Sequence, residues 1–406
     1  MTYQPRRSFG RRTTGAPSAF KPRHSFKPGQ RKGPGKQYIE ASRFVKAAKE
    51  VTQVKYEATN SFNDFAISDS IKRNIVAKGY KTPSKIQDIA IPHGLAGRDV
   101  VGIANTGTGK TTAFAIPVIE KLLQNNKSAA LIIAPTRELA DQIDAEVKSL
   151  SRGTNIRTCL IIGGTPMSPQ FRQLKANPRV IIGTPGRIKD HVQQGTLRLG
   201  VFDTIVLDEV DRMVDMGFIN DIRFLLNEVA EKRQSLFFSA TMDPKIEALV
   251  HSFLKDPITV SVKTAETSDN VEQNVVRHGD INDKFNKLHD VLKTDAVAKT
   301  LIFDDTKRSV EKLSRDLIAK GFKAEALHGG KSQNQRKRAL DKFRKNDVNI
   351  LVATDVAARG IDIIDITHVI NYSTPQTYDD YIHRIGRAGR AGRTGNALTF
   401  INEHGR

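Results

Sequence analysis

The chain contains a single cysteine, Cys159, and no tryptophan among its 406 residues. One thiol excludes an intramolecular disulfide framework and a cysteine-based metal site. Apolar runs long enough to cross a bilayer are missing, and the N-terminus lacks the apolar core of a secretory signal. We therefore expect a cytoplasmic protein with no membrane segment.

Acidic residues are scarce relative to basic ones. The chain has 44 Asp and Glu against 64 Lys and Arg, which gives a formal net charge of +20. Residues 1–60 alone hold 14 Lys or Arg and only 3 acids. Such a balance favours a polyanionic partner, although a basic surface can also serve solubility alone.

The first 37 residues are of low complexity, with ten Lys or Arg, no acids, and interleaved Gly, Pro and Ser. Too little apolar area is available there to offset the entropy of ordering, so we expect a disordered tail. Four aromatic side chains lie among the basic ones, which suits stacking on single-stranded nucleic acid. A solvated tail without a partner is the alternative.

The remainder alternates apolar strand patterns with amphipathic helix patterns, which predicts α/β domains with parallel sheets. The predicted strands of the first alternation are 100–103, 130–134, 158–162, 180–182, 204–207 and 236–238, and one predicted helix is 137–150. A polar linker is predicted at 261–270. The second alternation has predicted strands 300–303, 323–327, 350–353, 368–370 and 398–401, and a predicted helix 308–320. We therefore place a tail and linker at 1–56, a first domain at 57–262 and a second at 263–406.

The first strand runs into a glycine-rich turn, Gly107-Thr108-Gly109-Lys110-Thr111, and then into a helix pattern. Strand, glycine-rich turn and helix start form the layout of a phosphate-binding loop. Lys110 can reach the β and γ phosphates of a nucleoside triphosphate, and the Thr111 hydroxyl can hold Mg²⁺. A glycine turn without a ligand is the alternative. The second alternation has no such loop, so the two domains are predicted to share one nucleotide.

The predicted strand 204–207 ends at Asp208 and Glu209. In nucleotide hydrolases this position holds magnesium and activates water, so Asp208 is predicted to bind Mg²⁺ and Glu209 to orient or deprotonate the attacking water. An exposed acidic helix start is the alternative.

Two further strand ends carry a hydroxyl followed by an arginine. Thr184 and Arg187 follow one predicted strand, and Arg137 begins the helix after another. Hydroxyls, arginines and helix starts suit phosphodiester contacts, but ordinary helix starts look similar. Residues 383–393 place arginines at every third position among glycines, which fits phosphate or transition-state charge, or else a basic low-complexity loop.

Taken together, these motifs resemble those of DEAD-box ATP-dependent RNA helicases of superfamily 2, of the bacterial type with a basic tail. The resemblance covers Phe62 to Arg393 in the family's order. Its motifs read GYKTPSKIQ at 79–87, ANTGTGKT at 104–111, PTRELA at 135–140, GG at 163–164, TPGR at 184–187, DEVD at 208–211, SAT at 239–241, LIFDDT at 301–306, HGGKSQNQR at 328–336, ATDVAARGID at 353–362 and HRIGRAGR at 383–390.

The resemblance implies two RecA-like domains that bind ATP and Mg²⁺. It implies that Gln87 reads the adenine edge and that Tyr80 stacks on the adenine ring. It also implies that Arg387 and Arg390 act as arginine fingers. The other implied nucleotide-binding residues are Phe62, Thr82, Thr106, Gly107, Thr108, Gly109, Thr112, Gly360 and Asp362. Coupling between the domains is implied for Asp211, Ser239, Thr241, Asp355 and His383. The implied RNA contacts are Arg137, Gly163, Gly164, Thr184, Gly186, Arg187, Arg336 and Thr354.

Three positions depart from the family pattern. Val210 replaces an alanine, and we expect altered packing rather than lost activity. Asp304 and Asp305 stand where neutral residues are usual, near the expected RNA face, and could weaken a backbone contact. Ala388 replaces a threonine and loses only a hydroxyl. With the last predicted strand close to Arg406, no C-terminal targeting tail is expected, and the N-terminal tail is expected to substitute for it.

The function that this resemblance implies is RNA-stimulated ATP hydrolysis coupled to local separation of short RNA duplexes and remodelling of RNA–protein complexes. An ATP-gated RNA clamp that anchors other proteins is the alternative, and a DNA translocase is a third possibility that the 79–87 and 184–187 motifs disfavour. The expected partners are single-stranded and short duplex RNA, read without sequence preference, and ribosomal or RNA-decay proteins. We expect a monomer.

Overall fold

The structure is a computed structural model, and it describes residues 39–48, 56–105, 107–262, 267–294, 297–358, 363, 365–389 and 393–403. The predicted disordered tail at 1–37 lies outside these residues. Within them, no helix is both long and apolar enough to cross a bilayer.

The first domain is built on a seven-stranded sheet in which every neighbouring pair is parallel. Its strands are β1 (Val100–Ala104), β2 (Ala130–Ile133), β3 (Thr158–Ile161), β4 (Val180–Gly183), β5 (Thr204–Leu207), β6 (Gln234–Ser239) and β7 (Ile258–Val262), in the order β3-β4-β2-β5-β6-β1-β7. Its helices are α1 (Asp69–Ala77), α2 (Lys85–Leu95), α3 (Lys110–Gln124), α4 (Arg137–Leu150), α5 (Met167–Lys175), α6 (Pro185–Gln193), α7 (Val210–Asp215), α8 (Ile219–Glu228) and α9 (Pro244–Phe253).

The second domain has a six-stranded sheet, again parallel throughout. Its strands are β8 (Val271–His278), β9 (Thr300–Phe303), β10 (Ala324–Leu327), β11 (Ile350–Ala353), β12 (His368–Asn371) and β13 (Gly395–Asn402), in the order β10-β11-β9-β12-β13-β8. Its helices are α10 (Ile281–Leu292), α11 (Lys307–Ala319), α12 (Gln333–Arg344), α13 (Asp355–Ala358) and α14 (Tyr378–Ile385).

Each sheet separates two apolar cores because successive strand side chains point to opposite faces. In β2, Ile132 packs into one core of the first domain, whereas Leu131 and Ile133 pack into the other. In β9, Ile302 and Leu301 are likewise divided between the two cores of the second domain. Helices cover both faces, which explains why the central strands read as continuous apolar runs.

The strands β7 and β8 were not predicted from the sequence. The predicted linker at 261–270 is wrong at its start, because Ser261 and Val262 belong to β7 and pair with β1. Both β7 and β8 lie at a sheet edge, where polar and apolar residues alternate and some side chains are exposed. Apolar runs indicate central strands, so these two escaped the pattern.

Residues 39–48 belong to the segment 38–57, for which the sequence left a short amphipathic helix or a linker open. They contain a short 3-10 turn, Ala41–Phe44, and Lys46 forms an antiparallel bridge with Gln273 of β8. Ile39 and Phe44 are buried in a core of the second domain. This segment precedes the first domain in the chain but packs on the second.

Strand order divides the carboxyl edge of the first sheet into two halves. β5, β6 and β1 are neighbours, and they lead into Asp208, residue 240 and the glycine-rich turn. β3, β4 and β2 are the other neighbours, and they lead into Gly163, Thr184 and Arg137. Parallel sheets bind ligands at this edge, so the fold offers two adjacent sites.

Candidate nucleotide cleft and nucleic-acid face

The glycine-rich turn has the backbone that its sequence predicts. Gly107 and Gly109 have φ angles of 81° and 90°, in the left-handed region that favours glycine. Gly109 is the N-cap residue of α3, and a Cβ there would collide with the side-chain amide of Gln87. Lys110 is buried and its Nζ donates to the carbonyl oxygen of Ala104 at 2.8 Å. The turn therefore sets a lysine and a helix N-terminus at the same point, which is an arrangement suited to anions.

Gln87 is attached to this turn from α2. Its Nε2 donates to the carbonyl oxygen of Gly109 at 3.1 Å, and its Oε1 accepts from the backbone N–H of Ser84 at 2.9 Å. A side-chain amide has two donor hydrogens and two acceptor lone pairs, so each end retains capacity for one more hydrogen bond. Gln87 can therefore read a base while it stays fixed to the turn.

Tyr80 lies beside Phe62, with ring centroids 6.4 Å apart and nearly parallel planes. Its hydroxyl donates to Glu146 Oε1 at 3.2 Å, and the same oxygen accepts from the Thr112 hydroxyl at 3.0 Å. Glu146 was not singled out from the sequence, and no local motif marks it. It connects the aromatic pair to the first turn of α3.

The acidic pair lies at the end of β5. Asp208 is buried, and burial raises the pKa of its carboxyl group to about 7, against the lowering effect of the nearby Lys110 charge. Glu209 adopts a left-handed backbone with φ 53°, which is uncommon for a residue with a side chain. Its Oε2 lies 3.3 Å from Nε of Arg212. This left-handed backbone and the neighbouring Arg212 together fix the direction of the Glu209 side chain.

Asp211 connects the acidic turn to the end of β6. Its Oδ2 accepts from the backbone N–H of Ala240 at 3.0 Å, and its own N–H donates to Ser239 Oγ at 3.3 Å. Thr241 follows and lines the same cavity as His383 from the second domain. Asp211 is therefore hydrogen-bonded to Ser239, and the coupling of Asp211 to His383 through Ser239 and Thr241 stays a prediction.

A cavity of about 680 Å³ is lined by residues of both domains. Lys110 and Glu209 come from the first domain, and His383 and Arg387 come from the second. Arg387 is buried. A lysine, an acid and an arginine thus line a single cavity, as a shared nucleotide would require.

Arg384 was quoted within its motif but received no role in the sequence analysis. It is almost fully buried, and its Nε and Nη2 donate to the two oxygens of Asp355 at 2.6 Å each. It also donates to the Asn371 side chain and to the Ser373 carbonyl oxygen. Asp355, for which the resemblance implies coupling between the domains, is thus held by an arginine of α14. The sequence signal for this role was that Arg384, a charged residue, stands next to the apolar positions of α14.

Several arginines lie close together at the other half of the carboxyl edge, which follows β3, β4 and β2. The guanidinium of Arg137 lies so close to Gly164 that a Cβ there would collide with it. Burial, together with the like charges of Arg336 and Arg187, lowers the pKa of Arg137. Nη1 of Arg187 donates to the carbonyl oxygen of Thr165 at 3.0 Å. Three guanidinium groups from two domains therefore converge, and such a cluster favours a polyanion.

One contact across the domains was not expected. Nε of Arg336, on α12, donates to Oε1 of Glu138, on α4, at 2.8 Å, and both side chains are buried. Gln333 also reaches Glu138, at 3.4 Å. Arg336 was predicted from the sequence to bind RNA; its position joins the two domains beside that face.

The remaining predicted residues fall into two groups. Thr82 is exposed, Thr184 is the N-cap residue of α6 ahead of Gly186, and Thr354 precedes α13. Thr106, Gly360, Asp362 and Arg390 lie outside the described residues. Of the departures, Val210 and Ala388 are fully buried in apolar cores, and Asp304 is buried while Asp305 is exposed.

A metal ion at the cleft can be judged from its donor atoms. The described residues contain no cluster of three or more His, Cys, Asp or Glu that would hold a metal alone. Mg²⁺ is usually bound through one or two carboxylates together with substrate phosphates and water. The buried Asp208 carboxylate and the Thr111 hydroxyl at the start of α3 supply oxygen donors of this kind, so the residues fit the ion.

The fold and the cleft define a two-domain nucleotide-binding protein with one phosphate-binding loop. Family models match both parts: residues 84–249 match the DEAD/DEAH box helicase model, and residues 283–392 match the helicase conserved C-terminal domain. The chain belongs to the DEAD/DEAH box helicase family.

Two curated relatives are ATP-dependent RNA helicases named CshA. That of Limosilactobacillus reuteri is 44% identical over 342 residues, covering 84% of this chain and 69% of the relative. That of Listeria monocytogenes is 45% identical over 342 residues, covering 84% of this chain and 66% of the relative. The chain thus spans about two thirds of the length of these relatives.

Solved structures agree with the fold. Mss116p bound to single-stranded RNA and AMP-PNP is 28% identical, with a TM-score of 0.76, covering 86% of this chain and 76% of that one. Dbp5 of S. cerevisiae bound to RNA and ADP BeF3 is 29% identical, with a TM-score of 0.73, covering 84% and 90%. The resemblance drawn from the motifs and the prediction of two RecA-like domains are confirmed.

Proposed function

We propose that this chain is an ATP-dependent RNA helicase, which couples RNA-stimulated ATP hydrolysis to local separation of short RNA duplexes and to remodelling of RNA–protein complexes. The observation that carries the proposal is the shared cavity, where Lys110 and Glu209 of one domain face His383 and Arg387 of the other. Hydrolysis through such a site requires both domains at once.

ATP is bound mainly by the first domain. Gln87 reads the adenine edge with its remaining donor and acceptor, and Tyr80 stacks on the ring. Lys110 leaves the Ala104 carbonyl oxygen for the β and γ phosphates, because a phosphate is the stronger acceptor for an ammonium group. The backbone N–H groups at the start of α3 complete the anion site.

Hydrolysis needs an oriented water molecule and stabilised charge. Asp208 and Thr111 would hold Mg²⁺, which would neutralise negative charge on the phosphates. Glu209 orients or deprotonates the attacking water, since it lines the same cavity as Lys110. Arg387 supplies positive charge from the second domain to the transition state.

RNA is bound beside the cleft by the arginine cluster. Arg137 and Arg187 contact phosphates, and Gly163 and Gly164, beside which the Arg137 guanidinium lies, belong to the same RNA face. The N-cap Thr184 and the following helix start add a favourable dipole. These groups read no base edge, so the binding carries little sequence preference.

ATP and RNA are coupled because both require the same closed arrangement. Asp211 is hydrogen-bonded to Ser239 and Ala240 at the end of β6, and Thr241 and His383 line the same cavity, so this set would couple the hydrolytic turn to α14. A bent single strand fits the closed protein and a duplex does not, so closure separates strands and hydrolysis reopens the cleft. One chain supplies every part, and we propose a monomer.

The test is the rate of ATP hydrolysis with and without RNA. Single-stranded RNA should raise turnover, and DNA of the same sequence should raise it much less, because the 2′-hydroxyl distinguishes the two. Equal stimulation by DNA would assign the chain to the DNA translocases instead. No stimulation by either polymer would contradict the proposal outright.

A further inference from the structure

The segment 39–48, here called the N-terminal strap, packs on the second domain although it leads into the first. Its backbone joins β8 through both hydrogen bonds of the bridge, from Lys46 N–H to the Gln273 oxygen at 3.0 Å and from Gln273 N–H to the Lys46 oxygen at 2.8 Å. The helix next to it is α14, which carries His383. The strap therefore touches the helix that faces the nucleotide cleft.

Phe44 is the central contact of the strap. Its side chain is fully buried, and its ring meets that of Tyr381 edge to face with centroids 4.7 Å apart. The Tyr381 hydroxyl in turn donates to Oε1 of Gln273 at 2.8 Å. One aromatic side chain of the strap thus locks a tyrosine of α14 against β8.

Two basic residues of the strap add separate contacts. The guanidinium of Arg43 lies 3.9 Å from the ring centroid of Tyr378, at the first position of α14. Nζ of Lys46 lies 2.6 Å from Oδ1 of Asp269, just before β8. The strap is therefore fixed on both sides of Phe44, and α14 is contacted at two positions about one helical turn apart.

These contacts lie behind the functional side of α14. Tyr381 and His383 are two residues apart, which at about 100° per residue places them on nearly opposite faces of the helix. Tyr381 is buried in the core, whereas His383 lines the cleft together with Arg387, which follows the end of α14. Contacts with the face of α14 that carries Tyr381 therefore constrain the position of the opposite face, which carries His383.

We propose that the N-terminal strap positions α14, and through it His383 and Arg387, for ATP hydrolysis. Phe44 and Arg43 are positioning residues, since they touch the helix and not the cavity. The inference rests on the proposed function and goes beyond it, because it assigns part of the site's geometry to residues that precede the first domain. Misplacing a group that stabilises a transition state lowers turnover more than it lowers ground-state binding.

The test compares full-length Phe44→Ala with Val45→Ala. Val45 is the adjacent residue and is largely exposed, so its substitution controls for general effects on the strap. In Phe44→Ala, kcat for RNA-stimulated hydrolysis should fall on the order of tenfold, while KM for ATP stays within about twofold. Hydrogen exchange at the α14 amides should speed up in the same variant and not in Val45→Ala.

A second pair avoids the loss of a buried ring. Arg43 is exposed, so Arg43→Ala should fold normally yet lower kcat, and Arg43→Lys should recover it because an ammonium group can also lie over the tyrosine ring. Equal kcat for Phe44→Ala and Val45→Ala would overturn the inference, as would faster α14 exchange with unchanged kcat. If the wild type showed no RNA-stimulated ATP hydrolysis, the proposed function itself would be refuted. The hydrogen-exchange measurement tests only the contact between the strap and α14.

Discussion

The ion pair between Arg336 and Glu138 allows a quantitative test of how the two domains cooperate. The two side chains come from different domains and lie 2.8 Å apart with 8% and 5% of their surfaces exposed. When either partner is neutralised, the other remains buried without its counter-charge. Close charge pairs of this kind show coupling energies of about 1.5–7 kcal/mol, and we expect about 2 kcal/mol here, which is roughly thirtyfold in affinity.

The measurement is a double-mutant cycle of Glu138→Gln and Arg336→Gln. Affinity for single-stranded RNA is measured with a non-hydrolysable ATP analogue, which requires the domains to be together. Each single change should weaken binding at least tenfold, and the double change should be hardly worse than either one. Lys337→Gln is the control, since its pairing with Asp141 is long, at 3.9 Å, and exposed, and should contribute less than about 1 kcal/mol.

Additivity would refute this reasoning. If the two single effects summed to the double effect within about 0.5 kcal/mol, the residues would act independently. Arg336 would then contact RNA alone, as the sequence predicts, and Glu138 would have a separate role. The same cycle without nucleotide should show no coupling, because open domains leave both charges in water.

Four further predictions concern single parts of the protein. Lys110→Ala should abolish ATP hydrolysis with an unchanged circular dichroism spectrum; hydrolysis near the wild-type rate would contradict the phosphate-binding loop. Glu209→Gln should prolong ATP-dependent retention of RNA on a filter, since it removes the carboxylate that handles water; release at the wild-type rate would refute that role. Arg387→Ala should lower turnover on the order of 10³-fold with little change in ATP affinity, and the reverse pattern would make Arg387 a ground-state binder. Deletion of residues 1–37 removes ten Lys or Arg. If about four of them contact phosphates, the slope of log affinity for RNA against log salt concentration should become shallower by roughly 3. ATP hydrolysis at saturating RNA should be retained. An unchanged slope would mean that the tail does not contact RNA.

Most of the fold followed from local patterns. Central parallel strands are buried on both faces, so β5 and β9 appear as apolar runs whose predicted bounds match the structure. The helix α4 also matches, because its apolar positions recur at helical spacing and Thr136 caps its start. Edge strands such as β8 carry a weaker pattern, and they were missed for that reason.

Parts of the candidate site could be predicted where the functional residues lie close together in the sequence. The glycine-rich turn and the acids after β5 were found from residue types and spacing. The roles of Glu146, Arg384 and the N-terminal strap depend on contacts between segments far apart in the chain. No local pattern encodes such contacts, so they became visible only when the domains were assembled.

The central claim is that ATP hydrolysis by this chain separates RNA strands. The most direct measurement follows release of a labelled strand from a short RNA duplex in the presence of ATP, with Lys110→Ala as the inactive control. We expect ATP-dependent release by the wild type, faster for shorter duplexes, and none by the variant. RNA-stimulated ATP hydrolysis without any strand release would show that hydrolysis is not coupled to strand separation and would instead support an ATP-gated clamp.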